Sequence, residues 1–118
     1  MLRLRPGDEI TVSDGAGGRL RCRFGPALEP VGEVERAPRP APEVTVAFAM
    51  VKGERPDWAV QKLTEIGVDR IVPILTARSV VRWPPGEGGQ VARLRRVARE
   101  AAVQSRRVWL PLVEEVTA

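Results

Sequence analysis

Two stretches of this chain set what it can fold into. QKLTEIGVDRIVPILTARSV (61–80) and REAAVQSRRVWLP (99–111) each run from a helical pattern into a short apolar segment marked by proline. Ahead of them lies EVTVAFAM (43–50), almost continuously apolar from Val44. Such a run is what a strand buried on both faces of a parallel sheet requires. The resulting order, β-α-β-α-β, predicts an α/β domain with right-handed crossovers.

The helix limits can be read locally. Arg55-Pro56-Asp57 suits a first turn, where proline's missing N–H is no loss, and Gly67 suits the residue just past the last turn. Ala59, Leu63 and Ile66 are the expected buried stripe of this helix. A strand follows between Val68 and Leu75, and Pro73 argues against a fully paired central ladder there. The segment 76–89, ending in Pro84-Pro85 and a glycine cluster, reads as a long exposed loop. The second helix is expected from about Gln90 to Ser105, with Val91, Leu94, Ala98, Ala101 and Ser105 on one stripe. VWLPLVEEV (108–116) reads as the third strand.

Residues 1–36 have a different pattern. Ile10 and Val12 alternate with polar residues, DGAGG (14–18) is a hairpin turn, and RLRCRF puts Leu20, Cys22 and Phe24 on one face and three arginines on the other. Two or three strands with so few apolar side chains make a meagre core. APRPAP (37–42) is a stiff linker between this segment and 43–118, because proline cannot join a helix interior or a central strand.

Charge narrows the partner. The formal net charge is +4, carried by 17 Arg and 2 Lys, which favours an anionic partner without naming it. With no histidine and a single cysteine, Cys22, there is no intrachain disulfide and little basis for a metal site or an imidazole base. No apolar run approaches the roughly 20 residues of a membrane span, and a reducing cytoplasmic location is expected. There is no GxGxxG, GxxxxGK[ST] or GxSxG.

The candidates for chemistry are therefore cationic and polar. Lys52 lies just past the first buried strand, where open α/β sheets bind ligands; an ordinary solvated loop is the alternative. Lys62 and Glu65 can pair on one helix face, either as a surface ion pair beside Trp58 or as an interior lock. Arg78 and Arg82, with Trp83 nearby, can grip phosphates and stack a base, or Trp83 can simply pin the loop. Arg93, Arg95, Arg96, Arg99, Arg106 and Arg107 make either an RNA-backbone track or the solvated face of a packed helix. Gln104 and Ser105 can hydrogen-bond but cannot act as general bases at neutral pH.

QKLTEIG, Pro73, Thr76-Ala77-Arg78-Ser79 and REAAVQSRR with Pro111 closely resemble the bacterial 16S ribosomal RNA uridine-N3 methyltransferase family, whose members are called ribosomal RNA small subunit methyltransferase E. The match spreads over 52–111, and LRLRPGDEITVSDGAGG resembles that family's small PUA-like β-barrel. The resemblance implies an α/β fold: the N-terminal portion of a knotted SPOUT-type methyltransferase domain (43–118), preceded by a partial PUA-like β-barrel (1–36) and the linker (37–42). It implies S-adenosyl-L-methionine as methyl donor, N3 of one uridine in 16S rRNA of the 30S subunit as acceptor, and a homodimer without metal or membrane. Its patterned positions fall on Lys52, Lys62, Glu65, Gly67, Pro73, Arg78, Ser79, Glu100, Gln104, Ser105, Arg106 and Pro111. Arg78, Arg82, Arg99, Arg106 and Lys52 are the candidates for RNA or base contact; no catalytic residue is named. Relative to the family the chain looks truncated at both ends. Cofactor-binding residues are expected beyond Ala118, and the 118 residues alone are expected to be inactive. A non-enzymatic RNA-binding module and an inactive fragment are the competing readings.

Overall fold

A computed structural model describes residues 3–50, 55–74 and 88–117. The chain divides into two compact units, Met1–Arg39 and Pro40–Ala118.

The first unit is an antiparallel sheet. β1 (Glu9–Ser13) pairs with β2 (Gly18–Arg23) in the register Ile10 to Cys22 and Val12 to Leu20. The turn between them is closed by Asp14, whose Oδ1 accepts the N–H groups of Ala16 (2.7 Å) and Gly18 (2.9 Å). These two bonds, with a smaller contribution from Arg36, hold the Asp14 carboxyl below its ordinary pKa. Two short strands, β3 (Glu29–Pro30) and β4 (Glu35–Arg36), both pair with β2.

This arrangement corrects the expected partial barrel. No sheet among the described residues closes: β1 has β2 as its only neighbour, and the order is β1-β2-β3 with β4 also on β2. Closure needs tilted strands long enough to carry the ladder round to the first edge. Two-residue strands that share one neighbour cannot supply that. Cys22 is buried, whereas Leu28 and Val34 are more than half exposed.

The second unit is α/β. β5 (Thr45–Ala49), β6 (Arg70–Ile74) and β7 (Leu112–Val113) form a parallel sheet in that order, with α1 (Arg55–Ile66) and α2 (Gly88–Gln104) as connections. Val46, Phe48, Ile71 and Val113 meet Val60, Val91, Leu94 and Ala98 of the helices in one apolar cluster. The opposite face of the sheet leaves Thr45, Ala47, Ala49, Arg70 and Leu112 exposed. Among the described residues the apolar run 43–50 is thus covered on one face only. Both crossovers advance in the same direction across the sheet, so both helices land on the same side.

Pro73 lies within the central strand, opposite Phe48 of β5. Its carbonyl accepts the N–H of Thr117, but it has no N–H to return. On that side the ladder to β7 stops at Ile71–Val113 and resumes as a single bridge between Ile74 and Thr117. Two residues of β6 (72–73) therefore face three of the partner (114–116), a bulge that accommodates the missing donor.

The buried stripe of α1 is Pro56, Val60 and Thr64, and Ile66 is 70% exposed. The sequence reading placed the stripe one residue away because Thr64 is polar. Its hydroxyl donates to the Val60 carbonyl (2.7 Å), which satisfies the group and lets the methyl pack. At the opposite end of the sheet from the helix entry, buried Asp69 ties the strand starts together. Its carboxylate accepts the Val44 N–H (2.7 Å), and its carbonyl accepts that of Leu112 (2.9 Å).

Candidate nucleic-acid interface

Both helices end in the same hydrogen-bond motif. At α1, the N–H of Gly67 donates to the Thr64 carbonyl and that of Val68 to the Leu63 carbonyl. At α2, the N–H of Arg106 donates to the Val103 carbonyl and that of Arg107 to the Ala102 carbonyl. This is the paired-bond C-cap that needs a left-handed residue just past the helix. Gly67 supplies it with φ 89°, and Arg106 supplies it with φ 57°.

The two ends are also joined. The Arg107 guanidinium donates to the Glu65 carbonyl through Nε (3.1 Å) and Nη2 (2.8 Å). It thereby places a positive charge at the negative end of α1. The positive φ is what favours glycine at position 67; a Cβ there would also lie 3.0 Å from Arg107 Nη1, so the guanidinium would have to shift by a few tenths of an ångström.

These contacts sort the arginines of the second helix into two groups. Arg93 binds Asp57 of α1 (Nη2 to Oδ2, 2.6 Å). Arg95 donates to the Val113 carbonyl (2.9 and 3.1 Å) and reaches Glu115. Together with Arg107 they tie α2 to α1 and β7. Arg96, Arg99 and Arg106 are exposed, and their side chains make no hydrogen bond or ion pair among the described residues. The helical spacing of 96, 99 and 103 puts Arg96, Arg99 and exposed Val103 on the outward side, away from Val91, Leu94 and Ala98. The result is a cationic stripe that no internal contact requires.

The remaining predicted positions are dispersed. Lys62 Nζ lies 3.2 Å from Glu65 Oε2 on a partly exposed surface, a pair worth about 0.2–0.5 kcal/mol. Glu100 and Gln104 are exposed, Pro111 is buried, and the Ser105 hydroxyl donates to the Ala101 carbonyl (2.6 Å). Lys52, Glu54, Arg78, Ser79, Arg82 and Trp83 lie outside the described residues. Sequence reasoning missed the separate role of Arg107. An arginine three residues beyond a helix is an available signal, but its partner is 42 positions away. Asp69 was missed for the same reason.

A cavity of about 520 Å³ opens beside the carboxyl end of β5, lined by Phe48, Ala49, Arg55, Pro56, Trp58 and Ala59. Among the described residues there is no cluster of His, Cys, Asp or Glu able to hold a metal ion, and no helix long and apolar enough to cross a membrane.

The second unit is thus a parallel α/β unit whose second helix carries an exposed cationic stripe. Residues 38–118 match the family model for the RNA methyltransferase domain, and the chain belongs to that family. It is 38% identical to ribosomal RNA small subunit methyltransferase E of Synechocystis, over 96% of this chain and 38% of that relative. With the Bacillus subtilis protein of the same name it shares 30% identity, over 98% of this chain and 48% of the relative. The ribosomal RNA small subunit methyltransferase E of Neisseria gonorrhoeae, solved bound to S-adenosyl methionine, superimposes with a TM-score of 0.86 at 25% identity. That superposition covers 98% of this chain and 50% of the other. A probable rRNA-methyltransferase from Porphyromonas gingivalis gives 0.79 at 28% identity, covering 98% and 49%. The chain thus spans about half the length of its relatives or less.

Proposed function

We propose that this protein acts in S-adenosylmethionine-dependent methylation of ribosomal RNA, at N3 of a uridine in the 16S rRNA of the 30S subunit. In this reading it is a cytoplasmic, homodimeric enzyme of the SPOUT class. The observation that carries the proposal is similarity to ribosomal RNA small subunit methyltransferase E along 96–98% of the chain. The unpaired arginine stripe supports an RNA partner independently of that similarity.

The described residues do not by themselves form a cradle for the methyl donor. The cavity beside β5 offers one guanidinium and otherwise apolar walls, with no carboxylate or hydroxyl to hold a ribose. What these residues supply is affinity for RNA. Arg96, Arg99 and Arg106 can neutralise backbone phosphates, and each such contact steepens the salt dependence of binding. Methylation at N3 also requires loss of the ring proton, and a cation close to the base stabilises the anionic ring as it forms. Arg78 is the proposed base contact, with Arg82 and Lys52 as further RNA contacts.

The test is transfer of labelled methyl from S-adenosylmethionine to undermethylated 30S subunits by the protein and its Arg78→Ala variant. The expected result, in a chain of the relatives' full length, is label at uridine N3 and a marked loss with the variant at unchanged thermal stability; the 118 residues alone are expected to transfer none. Label at another atom, or equal turnover by the variant, would sink the respective assignment.

A further inference from the structure

Trp58 is placed where a core residue would not be. It lies in the first turn of α1 and is 62% exposed, while its neighbours Pro56 and Val60 are buried. It forms one wall of the cavity beside Phe48 and Ala49, at the carboxyl end of β5. Open parallel sheets bind their ligands at that end of the strands. The volume, about 520 Å³, falls within the range of small-molecule sites.

The rim of the cavity carries a charge. Arg55 lines it, is exposed, and makes no side-chain hydrogen bond or ion pair among the described residues. The nearest acid in sequence among the described residues, Asp57, is held by Arg93 through Oδ2 (2.6 and 2.9 Å). Its carboxylate is thereby compensated, which leaves Arg55 as the unpaired charge among the described residues that line the cavity. A flat apolar wall, an exposed indole and a free guanidinium make a site for a planar ring attached to an anionic group.

We infer that this cavity takes one unpaired RNA base, stacked on Trp58, with the adjoining phosphate on Arg55. This rests on the RNA reading above and adds a site apart from the α2 stripe. Stacking on an aromatic side chain tolerates any base, since every base offers a π face. The site therefore captures a splayed nucleotide without reading its sequence.

The experiment measures binding of the protein to a short oligouridylate and to an abasic ribose-phosphate strand of equal length, by fluorescence anisotropy. Trp58→Ala should weaken oligouridylate binding roughly 5- to 150-fold, the range for loss of one stacked base. Trp58→Phe should restore most of it. The parent protein should prefer oligouridylate over the abasic strand, and Trp58→Ala should lose most of that preference. Arg55→Ala should weaken both strands alike. Equal affinity of the parent protein for the two strands overturns the inference. So does a Trp58→Ala variant that binds RNA normally, including one whose only change is dissociation of a dimer seen by sedimentation. A triple Arg96, Arg99 and Arg106 to Ala variant separates the two ideas. If RNA binding persists there with its base preference intact, the cavity stands and the stripe falls. If the parent protein binds no RNA, both readings fall together.

Discussion

The ends of α1 and α2 are the same structure built from different residues. Each closes with two backbone hydrogen bonds around a left-handed residue, glycine in one case and arginine in the other. An L-residue in that conformation costs about 1–2 kcal/mol, and glycine avoids the cost. At Gly67 the absent side chain also lets the Arg107 guanidinium approach closely. At Arg106 the side chain is exposed and unpaired, so nothing in the fold accounts for its presence. One end is optimised for joining the helices. The other retains a strained residue whose charge is available to a partner.

Gly67→Ala is the strongest way to break this comparison. It combines an unfavourable φ with displacement of the Arg107 guanidinium, and a loss of about 2 kcal/mol is expected. Chemical denaturation of the single variant, of Arg107→Ala and of the double variant would show strong non-additivity, because both changes remove the same contact. Additive effects would mean that Arg107 does not depend on the space at Gly67.

Arg106→Gly should act in the opposite direction, raising stability by about 1 kcal/mol. It should also lower RNA affinity and reduce the slope of log K against log salt by roughly 1, as expected for one lost phosphate contact. A variant that is more stable but binds RNA with an unchanged salt slope would separate strain from binding.

The smallest expected effect lies in the first unit, where the described residues include no helix to hold the chain. Asp14 closes the β1–β2 turn with a depressed pKa. A carboxylate whose pKa is lower when folded stabilises the fold above its unfolded value. That contribution fades as pH falls through the folded value. Asp14→Asn should therefore lower stability slightly at neutral pH and flatten the fall below about pH 4, so that variant and parent converge in acid. An unaltered acid limb would show that the turn does not report on folding of this unit.

Legibility in the sequence followed the range of the interaction. The order of elements, the limits of α1 at Arg55 and Ile66, and the apolar stripe of α2 depend on neighbours within one or two turns, and the residues show them directly. The buried face of α1 was harder, because Thr64 enters the core only by bonding its hydroxyl to Val60. The candidate site was legible only as an excess of arginine. Which guanidiniums are free depends on acids and carbonyls such as Asp57, Glu65 and Val113, 18–42 positions away.

The sequence alone determined an α/β unit of parallel strands and an arginine-rich second helix, since periodicity and turn residues act locally. Only the tertiary structure decided that the antiparallel sheet stays open, that the apolar run 43–50 is covered on one side, and that three arginines are ties while three are free. Those outcomes depend on which distant groups meet, and on how few strands and helices there are to cover each surface.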